Sequence, residues 1–191
     1  MSFRDTIRRT ECSCSQCQVG CRSMPGMLAI GDLEKIAAYF AQKGLVSPLF
    51  PETFIEMNFV ASEGAKVGKW NGRTLETFEI KTITPAQRPN GECVFYCANG
   101  ECGIHPVSPL GCACVDSHQS REEGDAVIHP ALAEIFEDQQ GGGRYSRIHA
   151  ALEAAGRVAR PRAERRAAFE WLYAQEAARM APVRPDSPLE A

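Results

Sequence analysis

All nine cysteines of this 191-residue chain fall in two short windows, and that distribution restricts the fold more than any other feature. ECSCSQCQVGC carries Cys12, Cys14, Cys17 and Cys21; after 71 residues without a cysteine, GECVFYCANGECGIHPVSPLGCAC carries Cys93, Cys97, Cys102, Cys112 and Cys114. The spacings read C-x-C-x2-C-x3-C and C-x3-C-x4-C-x9-C-x-C, and separations this short let neighbouring thiolates converge on one soft metal centre, zinc or iron–sulfur. Thiols that merely pack as small hydrophobes have no reason to bunch in this way. A disulfide framework leaves one thiol of an odd count unpaired. The amino-terminal MSFRDTIRRTE has no apolar signal core, so the chain is expected in the reducing cytoplasm, where clustered cysteines mean metal or redox chemistry. Cys14 and Cys17 form a C-x2-C pair, but no thioredoxin-like strand and helix surround it. The two windows are therefore expected to meet in space.

Between and after the windows the pattern is that of an α+β chain. Leu33, Ile36, Ala37 and Phe40 recur at helical spacing behind Asp32 as a cap and ahead of Gly44. Residues 45–92 read as short strands and loops, with Asn71-Gly72 and Asn90-Gly91 as turns and FEIKTI (78–83) alternating as a strand. Asn99-Gly100 predicts a tight turn that brings Cys97 and Cys102 back toward each other, the geometry of a metal knuckle. Pro130 is expected in the first turn of a helix bearing Leu132, Ile135 and Phe136, stopped by Gly141 to Gly143. Tyr145, Ile148 and Leu152 mark a second helix, and Phe169, Leu172, Tyr173 and Met180 a third opened by Pro161. The expected architecture is a small irregular cysteine-rich metal-binding domain over 11–118 with short strands, a helical carboxy-terminal layer over 126–180, and a disordered tail over 181–191. With 44% hydrophobic residues the chain can bury one real core.

The motifs resemble the YkgJ-type cysteine-cluster family, described as a zinc- or iron-chelating domain, over about residues 11–115. Cys14, Cys17 and Cys21 match its first motif, Cys93-Val94-Phe95 its second, and Cys102-Gly103-Ile104 through Pro109 to Cys112 its last. Gly20 stands where the family has the first cysteine of a C-C pair, His105 where it has tyrosine, and Ser108 where it has arginine. The flagellin lysine methylases carry a similar cysteine pattern, which the resemblance implies holds an iron–sulfur cluster. Cys14, Cys17, Cys21, Cys93, Cys102 and Cys112 are thus the expected metal ligands, with Cys12, Cys97 and Cys114 as additions.

Ligand arithmetic leaves the metal open. A [4Fe–4S] cluster takes four thiolates, so nine could hold two clusters with one thiol over, or one cluster with several thiols beside it. Nine also satisfy three tetrahedral zincs when three of them bridge. The dense first window looks more like wrapping around a polynuclear core than paired zinc knuckles, and an iron–sulfur cluster is the favoured expectation, with zinc the alternative. His105 and His118 are further candidate ligands, with Asp116 as a hydrogen-bond partner; His129 and His149 sit in helical segments, where packing or exposure is the default.

Arg157, Arg160, Arg162, Arg165 and Arg166 form a basic stretch read as a solvated helix face. A formal charge of −3 gives no general pull toward nucleic acid or membranes, and no run of about 18 apolar residues is present to span a bilayer. Phosphate loop, nucleophile elbow and dinucleotide fingerprint are all absent from the sequence. The expected function is electron transfer, redox sensing or handling of metal or clusters with a protein partner; whether the chain is an enzyme stays undecided. The alternatives are a zinc-stapled interaction module and an iron-dependent enzyme with an open metal position.

Overall fold

A computed structural model describes residues 14–45, 51–64, 66–70, 72–114 and 118–180. Cys12, Asn71, Asp116 and the tail 181–191 lie outside them. The elements run α1 (Val19–Ser23), α2 (Asp32–Gln42), α3 (Pro51–Asn58), β1 (Phe59–Ser62), β2 (Lys66–Trp70), β3 (Leu75–Glu79), β4 (Thr82–Pro85), a 3-10 turn (His105–Val107), α4 (Leu110–Ala113), α5 (Arg121–Gly141), α6 (Arg144–Ala154) and α7 (Arg162–Met180). The architecture is the expected α+β, mostly helical, with three carboxy-terminal helices. No described helix is long and apolar enough to cross a membrane.

The apolar stripe of α2 does face the core, with Leu33 and Ile36 buried. Its cap differs from expectation. Gly31, at φ 86°, takes the N-cap, a left-handed conformation that costs glycine nothing. Asp32 is instead the first helical residue, and its buried carboxylate accepts from the amides of Ala29 and Leu110, both at 2.8 Å. It thereby ties the start of α2 to the start of α4.

Residues 45–92 hold the helix α3 besides strands, and FEIKTI is two strands rather than one. Its first two residues end β3, which pairs antiparallel with β2, while Thr82 onward forms β4, paired antiparallel with β1 (Ala61 opposite Ile83). Alternation within six residues could not show this break, because both halves keep the same period. Every residue of β1 and of β4 is buried.

Pro130 lies inside α5. The helix begins nine residues earlier, where the Ser120 hydroxyl accepts the Glu123 amide at 3.2 Å and the Glu123 carboxylate accepts the Ser120 amide at 2.8 Å, a reciprocal capping box. That start signal, S-x-x-E, outweighs one missing amide donor further on. The helix α7 also differs from its apolar reading: Met180 is exposed, and the buried positions are Arg165 and Glu176.

One core joins these parts. Leu28, Ile36, Phe59, Ile83, Ile135 and Leu152 are fully buried in it, each worth about 1.5–3 kcal/mol. Phe40, Phe54, Phe59 and Phe95 run through it as a chain of ring contacts 4.9–6.0 Å apart, so the second cysteine window is anchored by its own Phe95.

Tyr145 ties α6 to β4 and to the segment that leads into α2. Its hydroxyl donates to the Leu28 carbonyl at 2.9 Å and accepts the Ile83 amide at 2.8 Å, both buried. Tyr145→Phe strands both backbone groups, at about 1–3 kcal/mol each. The expected loss is about 2–4 kcal/mol, read as a fall of roughly 5–15 °C in the melting midpoint. A change under about 0.5 kcal/mol would mean that water replaces the hydroxyl.

His149, on the same helix, is buried as a packing residue, 3.9 Å from the Glu153 carboxylate. Burial lowers its pKa; Glu153, Glu79 and a backbone hydrogen bond with Ser62 raise it and Lys81 lowers it, with a net fall. The unfolded chain therefore binds this proton first as pH drops through about 6.5, and stability falls with it until the folded pKa is passed. Chemical denaturation of wild type and His149→Gln at pH 7.5 and 5 should show a smaller acid loss in the variant; parallel losses would assign the effect elsewhere.

Candidate metal centre

From Cys14 on, the first window folds as a turn running into α1. The Gln18 amide donates to the Cys14 carbonyl at 3.1 Å, and the Cys17 amide approaches the Cys14 sulfur at 3.5 Å. An amide directed at a cysteine sulfur is the support a thiolate ligand receives in metal knuckles. The helix α1 is held from outside by α7: Arg22 pairs with the buried Glu176 at 2.7 Å. This contact and a hydrogen bond from Ser15 hold the Glu176 carboxyl below its usual pKa.

The second window is folded by the turn its Asn99-Gly100 predicted. Gly100 sits at φ 83°, its amide donates to the Cys97 carbonyl at 3.0 Å, and Tyr96 bridges Cys102 across the turn. Ile104 is buried beside Phe95, so Cys93 and Cys102 each have a hydrophobic anchor two residues on.

The windows meet directly. The Cys93 amide donates to the Cys21 carbonyl at 2.7 Å, the Gly111 amide to the Met27 carbonyl at 2.9 Å, and the Gly26 amide to the Cys112 sulfur at 3.2 Å. Such closeness needs glycine on both sides. A Cβ on Gly26 would stand 2.2 Å from the Gly111 carbonyl carbon, and one on Gly111 would stand 2.5 Å from the Met27 amide nitrogen.

Two groups of soft side chains result. The sulfurs of Cys14 and Cys17 and a ring nitrogen of His118 all lie within 4.8 Å of one another, the one such group among the described residues. Cys14 Sγ is 3.7 Å from His118 Nε2. Tetrahedral zinc with ligands at 2.3 Å requires sulfurs about 3.8 Å apart, so this group is sized for a single ion. The second set comprises Cys21, Cys93, Cys102 and Cys112. Burial pushes the Cys21 thiol up to about 11, and the neighbouring Cys102 adds to the rise. Burial likewise pushes Cys93 to about 12, against a hydrogen bond with Phe95 and the pull of Arg88, with Cys21 and Cys102 pushing the same way as burial. Cys112 is raised well above its ordinary value by burial, then by Cys93, Cys21 and Cys102. Every pair of the four thus interacts, yet no three of their sulfurs close to 4.8 Å. In this looser ring no three sulfurs come as close together as the ligands of one zinc ion.

Of the remaining expected ligands, Cys97 is exposed, with its sulfur 3.7 Å from the Phe95 carbonyl. Cys114 is buried among Ala29, Leu110 and Ala131. His105 is exposed in the 3-10 turn, and His129 is exposed on α5. None of the eight described cysteines is in a disulfide.

The basic stretch is only partly the solvated face expected. Arg166 pairs with Glu170 on the exposed side of α7 at 2.8 Å. Arg157, Arg162 and Arg165 turn inward, to the Met57 carbonyl (2.9 Å), the Gly64 carbonyl (3.1 Å) and the Ser62 hydroxyl (2.7 Å). Charge patterning alone could not reveal this, because their partners are backbone and hydroxyl groups of the β1 region 98–103 residues away in sequence.

No family model, curated protein or solved structure matches the chain.

Proposed function

We propose that this protein holds an iron–sulfur cluster among Cys21, Cys93, Cys102 and Cys112 and a single metal ion at Cys14, Cys17 and His118, and uses them in electron transfer, redox sensing or metal and cluster handling. The observation that carries this is the meeting of the two windows at the Cys93–Cys21 and Gly26–Cys112 contacts, which gathers four thiols from α1, from both arms of the second window's turn and from α4. That no three of these sulfurs lie within 4.8 Å of one another favours a polynuclear core over a lone zinc. The six cysteines that match the YkgJ-type pattern are also the six that fall into these two sets, while Cys97 and Cys114 fall outside both. A bound cluster supplies one-electron chemistry; the chain supplies thiolate ligands, amides directed at Cys14 and Cys112, and an apolar surround. The partner is a protein that exchanges electrons or metal.

The test is anaerobic purification with absorption spectroscopy and assay of iron, acid-labile sulfide and zinc. About four iron and four sulfide per chain are expected. Cys21→Ser and Cys112→Ser should lose them, whereas Cys97→Ser should retain them. A colourless protein with stoichiometric zinc and no sulfide would establish the zinc-stapled module instead.

A further inference from the structure

A cavity of about 320 Å³ lies between α1, the β1–β4 pair and the helices α5 and α7. One wall presents Cys17 from the three-ligand group together with Cys21 and Cys112 from the four-thiol ring, so a single space touches both sets. Its body is apolar, formed by Met24 and Met27 on one side and Ile128, Leu132 and Phe169 on the other. That volume and lining are those of a small-molecule site.

The polar end of the lining carries two guanidinium groups, Arg162 and Arg165, and one carboxylate, Glu63. Arg165 lines the cavity and is only 3% exposed. Its Nη2 donates to the Ser62 hydroxyl at 2.7 Å and its Nε to the Arg160 carbonyl at 2.9 Å, both neutral acceptors. Among the described residues no hydrogen-bond partner holds Nη1, and no carboxylate forms an ion pair with the group. Glu63 acts on it without contact, and its Oε2 accepts the Arg162 amide at 3.3 Å; Arg160 and Arg162 add positive charge. A guanidinium taken out of water without a counter-ion is costly, and its planar fork is shaped for a carboxylate.

We propose that this cavity binds a small carboxylic acid with an apolar body, its carboxylate at Arg165 and its far end against the thiol wall. This deepens the metal-centre reading, since such a ligand would sit beside the ligating sulfurs and make the centre a place where a substrate or effector meets the metal. Recognition rests on the chain alone, so the metal-free protein should retain it.

The probes are phenylpropionate, its neutral amide and phenylpropylamine, titrated by calorimetry into metal-loaded and metal-free protein. The acid should bind at least about tenfold more tightly than the amide, and the amine not at all. Arg165→Met should weaken the acid by about tenfold or more. Ile128→Trp, which fills the cavity from α5, should abolish binding in a protein that still melts cooperatively, and it decides the matter if Arg165→Met fails to fold. In the loaded protein the acid should also perturb the absorption of the centre. Equal binding of acid and amide, preference for the amine, or full binding by Ile128→Trp overturns the proposal. A loaded centre with no affinity for the acid removes the pocket and leaves the centre; selective binding by a chain that takes up no metal removes the centre and leaves the pocket.

Discussion

Gly26→Ala should cost the protein most of its metal. The added methyl meets the Gly111 carbonyl carbon at 2.2 Å, the Cys112 amide nitrogen at 2.3 Å and the Gly111 oxygen at 2.6 Å. All three are backbone atoms, so no side chain can swing aside, and the two windows must move apart where α4 delivers Cys112. The amide contact to the Cys112 sulfur and the Gly111–Met27 hydrogen bond are lost with that movement. Overpacking by one methyl costs about 1–3 kcal/mol even in ordinary cores. Disturbing the support of a ligand lowers metal affinity by roughly 10–100-fold. Gly111→Ala should behave alike. Gly20→Ala is the control: nothing lies within 4 Å of its added methyl, and on α1 it should gain up to about 1 kcal/mol of helix propensity. Metal content and thermal melts of the three variants check this; a Gly26→Ala protein that loads like wild type would mean that the windows approach differently.

Removing the metal should loosen one half of the molecule and spare the other. Structural zinc contributes about 10–16 kcal/mol of apparent binding energy in small metal-folded domains, which sets the ceiling here. Apart from the core anchors Phe95 and Ile104 and the ties of Asp32 to α4 and Glu176 to α1, the cysteine segments have little regular structure: α1 and α4 have 5 and 4 residues, and the second window is held by isolated bridges rather than a ladder. The core of Ile36, Phe59, Ile83, Ile135 and Leu152 needs no metal, and α5 and α6 are long enough to retain it. Chelation should therefore lower the melting midpoint sharply while amide exchange accelerates mainly over residues 14–30 and 93–114. Uniform acceleration would show that core and centre unfold as one unit; unchanged exchange and melting after complete metal removal would show that the thiols are not structural ligands.

Both expectations rest on contacts that are unequally visible in the sequence. The cysteine windows were readable because ligand spacing is local, and so were the Asn99-Gly100 turn and the stripe of α2, set by backbone geometry and by helical period. The capping box of Ser120 and Glu123 was equally local, and it was missed because Pro130 drew the start of α5 nine residues too late. Asp32 was legible as a residue near a helix start, though its acceptance of the Leu110 amide, 78 positions away, was not.

Legible along the chain were the gathering of the thiols into two windows, the helices α2, α6 and α7 and the carboxy-terminal half of α5, and enough apolar material for one core, whereas α3 was not. How the thiols divide came only from the folded chain. It placed Cys14 and Cys17 with His118, which follows the second window, and assigned Cys21 to the ring with Cys93, Cys102 and Cys112. It also turned Arg165 into a cavity beside them. The reason is physical: spacing along a chain limits how near neighbouring ligands can come, whereas the partition among distant ones depends on where two backbones can touch. Here that is the crossing of Gly26 and Gly111, where the absence of two side chains lets the windows close.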